Sequence, residues 1–148
     1  MTYSNIVVGT DGSATAELAV QHAGQLAKDH DARLVVVTAY EPHDDALLKE
    51  AGGVPDDIQW ALTDRAQAEE KAVEGRKLAA ALGVKGIVAQ AIPGSPTDVL
   101  LEAANDFNAD VIVVGSKGLT GLPIARIGSV ASLVSHHAPC DVFIVHTT

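Results

Sequence analysis

Two glycine-rich stretches hold the residues whose types and spacing best suit chemistry. The first is Gly9-Thr10-Asp11-Gly12-Ser13; the second, Gly115-Ser116-Lys117-Gly118-Leu119-Thr120-Gly121, continues to Gly128-Ser129. Glycines so placed permit left-handed backbone geometry and let main-chain N–H groups approach an anion closely, and a helix N-terminus just beyond adds partial positive charge. The combination is phosphate-cradle chemistry, although the same glycines also make ordinary strand-to-helix turns. Charge placement favours the cradle. Between residues 86 and 148 the only Lys and Arg are Lys117 and Arg126, and both fall between Gly115 and Gly128, where a bound polyphosphate would require them. At the other end of such a ligand, Asp11 can accept hydrogen bonds from a ribose hydroxyl or a base amine, or else order its own turn. Thr38, Ala39 and Tyr40 can offer backbone groups to a base edge.

The standard catalytic patterns are missing: the sequence holds no G-x-x-x-x-G-K-[ST], G-x-S-x-G, H-E-x-x-H or C-x-x-C. Gly9 to Gly12 does not spell a dinucleotide fingerprint, and Asp11 has no acidic neighbour with which to build a magnesium site. His136 and His137 are adjacent, so on a helix they point about 100° apart and suit a helix C-terminus better than a shared metal. Cys140 is the single cysteine, which excludes an internal disulfide and leaves a small buried hydrophobe as its expected state. Trp60 reads as a packing or interface residue.

The elements that must position these loops are legible from hydrophobic runs. Ile6-Val7-Val8, Leu34 to Val37, Ile87-Val88-Ala89, Val111 to Val114 and Val142 to Val145 are consecutive apolar runs, as expected of parallel strands covered on both faces. Ala16, Ala19, Val20, Ala23, Leu26 and Ala27 share one helical stripe behind an N-capping Ser13. A second helix is predicted from about Ile58 to Leu82, closed by Gly83 and containing an unfavourable Gly75. Ser95-Pro96-Thr97-Asp98 announces a third, with a hydroxyl cap, proline at the first helical position and a carboxylate in the first turn. Val130, Ala131, Leu133 and Val134 define a fourth, ended by the histidines and Pro139. Glu41 to Asp57 reads as a mobile acidic loop with a short helical turn around Ala46 to Leu48. The order is βαβαβαβαβ, which right-handed crossovers fold into one doubly wound, five-stranded parallel sheet with helices on both faces, an α/β domain of Rossmann-like type.

Composition agrees. The 148 residues are 47% hydrophobic but only 3% aromatic, enough for one domain whose core is built of Val, Ile, Leu and Ala. A formal charge of −9 disfavours nucleic acid and anionic membranes as partners. With no long apolar run and a polar start from Met1 to Asn5, a soluble, cytoplasmic protein is expected.

Gly115, Gly118, Gly128 and Ser129 also fit G-x2-G-x9-G-[ST] with full spacing, and in this the chain resembles the nucleotide-binding universal stress proteins. Ile6 to Ser13 resembles that family's first strand and Asp-x-Ser turn, and Gly94-Ser95-Pro96 its approach to the third helix, so the likeness covers nearly the whole chain. The resemblance implies a fold like that of the adenine nucleotide alpha hydrolases. It further implies that Asp11 and the backbone of Ala39 contact adenine and ribose, that Gly115, Gly118, Gly128, Ser129 and Val130 hold phosphates, and that Lys117 sits where members often place a basic or polar residue. Thr10, Gly12, Ser13, Ser116 and Arg126, from the same two loops, complete the expected nucleotide-binding set. The implied ligand is ATP, with or without Mg2+, or cyclic AMP, and the implied partner is a second copy of the chain through the fifth strand. Pro139-Cys140-Asp141 departs from the family's usual Cys-Pro pair, and Gly121 and Pro123 set the phosphate loop apart. The leading expectation is a non-enzymatic ATP-binding stress or regulatory module. The alternatives are a cyclic AMP sink or sensor, a slow ATPase or autophosphorylating protein using Ser116, Thr120 or Ser129 with Asp11 as base, and a ligand-free dimeric interaction protein.

Overall fold

The computed structural model describes residues 2–41, 55–116 and 128–146, with side chains for all of these except 55–63. Its elements follow the expected alternation: β1 (Asn5–Gly9), α1 (Ala14–His30), β2 (Arg33–Tyr40), α2 (Pro55–Ala81), β3 (Ile87–Pro93), α3 (Pro96–Asp106), β4 (Val111–Gly115), α4 (Ser129–His137) and β5 (Asp141–Val145). All strand pairs are parallel and the sheet order is β3-β2-β1-β4-β5. The chain therefore winds outward from β1 to β3, then crosses back to place β4 on the other side of β1. That reversal between β1 and β4 opens a crevice at the carboxyl ends of the strands, where ligands of such sheets bind.

Side chains alternate along each strand into two cores. Ile6, Val8, Leu34, Val36, Val111 and Val113 pack with Ala19, Val20, Ala23 and Ala27 of α1 and Ala79 of α2. Val7, Val35, Val37, Ile112 and Val114 pack with Val99, Leu100, Ala103 and Ala104 of α3 and Ala131 and Val134 of α4. The central runs are thus covered on both faces, as their unbroken hydrophobicity requires. β5 departs from that expectation. It is an edge strand, and Phe143, in register with Val113, is 46% exposed because the helix layer on that face does not cover it.

Local chemistry fixes the helix ends. The Ser13 Oγ accepts from the Ala16 N–H at 3.2 Å and the Ser95 Oγ from the Asp98 N–H at 3.2 Å. Gly83 follows α2 with φ +98, a left-handed conformation that suits glycine. The second helix starts at Pro55, three residues before the predicted Ile58, because proline is well tolerated in a first turn whose N–H groups lack partners anyway. Residues 55 to 57 of the expected loop are therefore helical. The rest of that loop from 42 to 54, including the turn expected at Ala46 to Leu48, lies outside the described residues, as does the side chain of Trp60. Among the described residues, no helix is long and apolar enough to cross a membrane.

Candidate functional site

At the switch point the sheet opens into a cavity of about 220 Å³. The turn after β1 forms one wall of it. β1 ends at Gly9, where α3 packs closely: a β-carbon on Gly9 would lie 3.1 Å from Leu100 Cδ2. The Thr10 N–H then donates to the Val37 carbonyl at 2.9 Å, carrying the ladder one residue further. Thr10 Oγ1 accepts from the Gly12 N–H at 3.1 Å, Asp11 Oδ1 from the Ser13 N–H at 2.9 Å, and Gly12 turns at φ +82. Thr10, Asp11 and Ser13 line the cavity. Gly12 does not, and its role is to make the turn.

β2 outruns β1, and this has a chemical consequence. Val37 points its peptide groups at β1, and in an extended strand the residue two further on points the same way. Ala39 lines the cavity beyond the end of β1, so its N–H and C=O face the crevice side by side. Thr38 and Tyr40 point their peptide groups the other way: the Tyr40 carbonyl accepts from the Gly94 N–H at 2.9 Å, and both residues are in register with β3. The Thr38 side chain is buried on the face opposite Val37 and Ala39, and its Oγ1 has no hydrogen-bond partner among the described residues.

Across the crevice stands the N-terminus of α4. Gly115 and Gly128 line the cavity, and the Gly128 N–H donates to the Ser116 carbonyl at 2.7 Å, tying the end of β4 to the start of the helix. Gly128 is the N-cap and makes no side-chain cap bond. The first helical bond runs from the Ser132 N–H to the Gly128 carbonyl, so the amides of Ser129, Val130 and Ala131 have no acceptor within the helix. Val130 lines the cavity, Ser129 is exposed at the first helical position, and Ser116 is buried. Lys117, Gly118 and Arg126 lie outside the described residues. No Lys or Arg is among the described residues that line the cavity.

Between these two ends the walls are apolar. Val37 and Val114 form the floor, Pro96, Val99 and Leu100 come from α3, and Thr15, Ala16 and Ala19 from the first turns of α1. Sequence reasoning did not single these out, because Val99 and Leu100 read as core stripe, and burial in a core gives the same sequence pattern as the wall of a cavity. Ser95-Pro96 was the available signal, since it starts a helix at a strand's carboxyl end. The Ser13 and Thr15 hydroxyls, 3.1 Å apart, add polarity at the α1 side.

Among the described residues, the groups with displaced pKa values lie elsewhere, toward the amino ends of the strands. Asp110 Oδ2 accepts from the Asn5 and Ser4 N–H groups at 2.9 and 2.7 Å, and these bonds hold its carboxyl below the ordinary aspartate range. A hydrogen bond to Asp141 and burial raise Tyr3. Burial, then Asp141, raises Cys140, which is half-buried against the α3–α4 core.

The sheet order, the glycine turn after β1 and the bare helix start at Gly128 can be set beside known proteins. The universal stress protein family matches residues 2–146. The chain belongs to that family. A universal stress protein of Mycobacterium tuberculosis is 38% identical over 147 residues, covering 99% of this chain and 98% of the relative. Among solved structures, a universal stress protein in complex with cAMP is similar at 33% identity with a TM-score of 0.74 over the whole of both chains. UspA of Lactobacillus plantarum superposes with a TM-score of 0.81 at 25% identity, over 98% of this chain and 99% of that one. As a universal stress protein, the chain has the Rossmann-like fold that its β-α alternation predicts.

Proposed function

We propose that this universal stress protein binds an adenine nucleotide across the switch-point crevice and acts by binding, without turnover. The observation that carries the reading is the complementarity of one cavity. An unpaired peptide edge at Ala39 stands at one end, an uncapped helix N-terminus at Gly128 at the other, and apolar walls lie between. A peptide N–H and C=O side by side match the acceptor nitrogen and amine of an adenine edge. Asp11 and Ser13 stand beside them for ribose, with Thr10 and Gly12 setting their turn. The α4 amides and Gly115 border the place a phosphate would take, with Ser116 and Ser129 adjoining them in the chain, and the sequence pattern assigns Lys117, Gly118 and Arg126 to the same end. Asp11, the one carboxylate among the described lining residues, already accepts from Ser13, which supports holding over base catalysis.

Cyclic AMP is the first reading for the nucleotide. The 33% identical structure holds cAMP, and a single phosphate suits one helix N-terminus in a chain whose formal charge is −9. ATP, with or without Mg2+, is the second, favoured by the spacing of Gly115, Gly118, Gly128 and Ser129 with Lys117 and Arg126 inside it. The reading includes a cytoplasmic homodimer through β5, supported by that strand's edge position and exposed Phe143.

Calorimetric titration with cAMP, AMP, ADP and ATP, with and without Mg2+, decides among these. Tightest binding of cAMP is expected, and a nucleotide at a hundred times its Kd should stabilise the fold by about 2.7 kcal/mol. Absence of heat and of thermal shift with all four would overturn the proposal, and ATP turnover by the purified protein would overturn its non-enzymatic half.

A further inference from the structure

The second helix contains a glycine where helix propensity argues against one. Gly75 lies well inside α2, where alanine would favour the helix by about 1 kcal/mol. Packing gives the reason. A β-carbon on Gly75 would sit 2.9 Å from Val36 Cγ1 and 3.4 Å from Thr10 Cγ2. Val36 is fully buried in the middle of β2 and cannot give way, so only a bare α-carbon lets α2 approach this closely. One turn earlier the same helix touches the same turn again. The position a β-carbon would take on Gly12 is 3.1 Å from Lys71 Cγ and 3.3 Å from Lys71 Cδ, so the lysine stem lies along the left-handed residue of the β1–α1 turn.

We infer that Lys71 and Gly75 are positioning residues for the crevice: although neither lines it, together they hold Thr10 and Gly12 in the geometry that presents Asp11 and Ser13. Thr10 is gripped through its methyl by Gly75's close approach, while its hydroxyl holds the Gly12 N–H. The Lys71 stem covers Gly12 and keeps the turn from opening toward α2. It is the methylene chain of Lys71 that acts, its ammonium being free to stay in water. Reciprocity requires that a ligand held by this turn should in return favour the docked position of α2.

The turn geometry can be tested without any ligand, and its effect on affinity rests on the nucleotide reading above. Hydrogen–deuterium exchange at the Gly12 and Ser13 amides of the ligand-free protein reports on the turn directly. Lys71→Ala should speed exchange there by about tenfold while the amides of β4 keep their rates, and should weaken cAMP binding by a similar factor. Lys71→Met, which keeps the stem and loses the charge, should behave like the wild type in both assays. Gly75→Ala should act like Lys71→Ala more strongly, and the partly exposed Lys71 site keeps the test informative if that variant fails to fold. Unchanged exchange in Lys71→Ala would overturn the inference, as would a Lys71→Met as defective as the alanine variant. Faster exchange in a protein that binds none of the four nucleotides would uphold the positioning role and remove only the nucleotide reading.

Discussion

The two ends of the sheet treat their polar groups in opposite ways. At the amino end, side chains take up loose donors: Asp110 holds the Ser4 and Asn5 amides, His30 Nδ1 accepts from the Tyr3 N–H at 3.1 Å, and the Asn5 side-chain Oδ1 accepts from the Arg33 side-chain Nε at 3.1 Å. At the carboxyl end the Ala39 peptide edge faces a cavity and Gly128 leaves α4 uncapped. Even at that end the helices differ, since serines cap α1 and α3 whereas the N-cap of α4 is a glycine with no side chain to do so. On the proposed reading, the first amides of α4 and the Ala39 peptide edge are left for a bound nucleotide, whereas the polar groups of the amino end serve the fold.

Substitutions should therefore separate stability from binding, and the largest separation is expected at Gly128. Its backbone angles, φ −62 and ψ 163, are open to any residue. Gly128→Val should fold with an unchanged melting temperature, yet lose nucleotide binding by roughly a hundredfold, because its side chain takes the phosphate's place and removes two charge-assisted bonds. A matched loss of stability would break the division. Next comes Ser129→Ala, expected to cost about 1 kcal/mol of binding by titration and nothing in melting.

The smallest effect belongs to the amino end. Asp110→Asn should lower stability by less than about 1 kcal/mol at neutral pH, since solvent screens the carboxylate, and should leave binding untouched. The folded pKa of Asp110 lies below its ordinary value of 3.8. Its contribution is therefore complete at neutral pH, declines as the pH falls past 3.8, and is gone below the folded value. Denaturant melts of wild type and variant should converge in acid, and a difference that persists there would remove the carboxylate from the account.

Features decided within a few residues were legible from sequence. Ser13 and Ser95 act as caps through amides three residues away, and the β-α alternation follows from runs that need no knowledge of their neighbours. Features decided across the fold were not. Gly75 reads as a flaw in a helix until Val36 is seen beneath it, and the apolar run of β5 carries no sign that the strand lies at an edge. For the same reason the glycine-rich turns at the cavity's two ends were easier to single out than its walls: glycine spacing is local, whereas Val99 and Leu100 become lining only because β1 and β4 part beneath them.

The central position of β1 also sets a timetable for folding. It can pair with β2 as soon as α1 forms, but its other edge, Ile6 to Val8, waits for β4, whose Val111 to Val113 lie 105 positions further along the chain. Such long-range parallel pairing is slow. Until it is complete, the nascent half-sheet offers an unpaired, wholly apolar edge to other chains. The crevice exists only after β4 and α4 dock, so a ligand bound there would secure the finished protein without shortening this exposed interval.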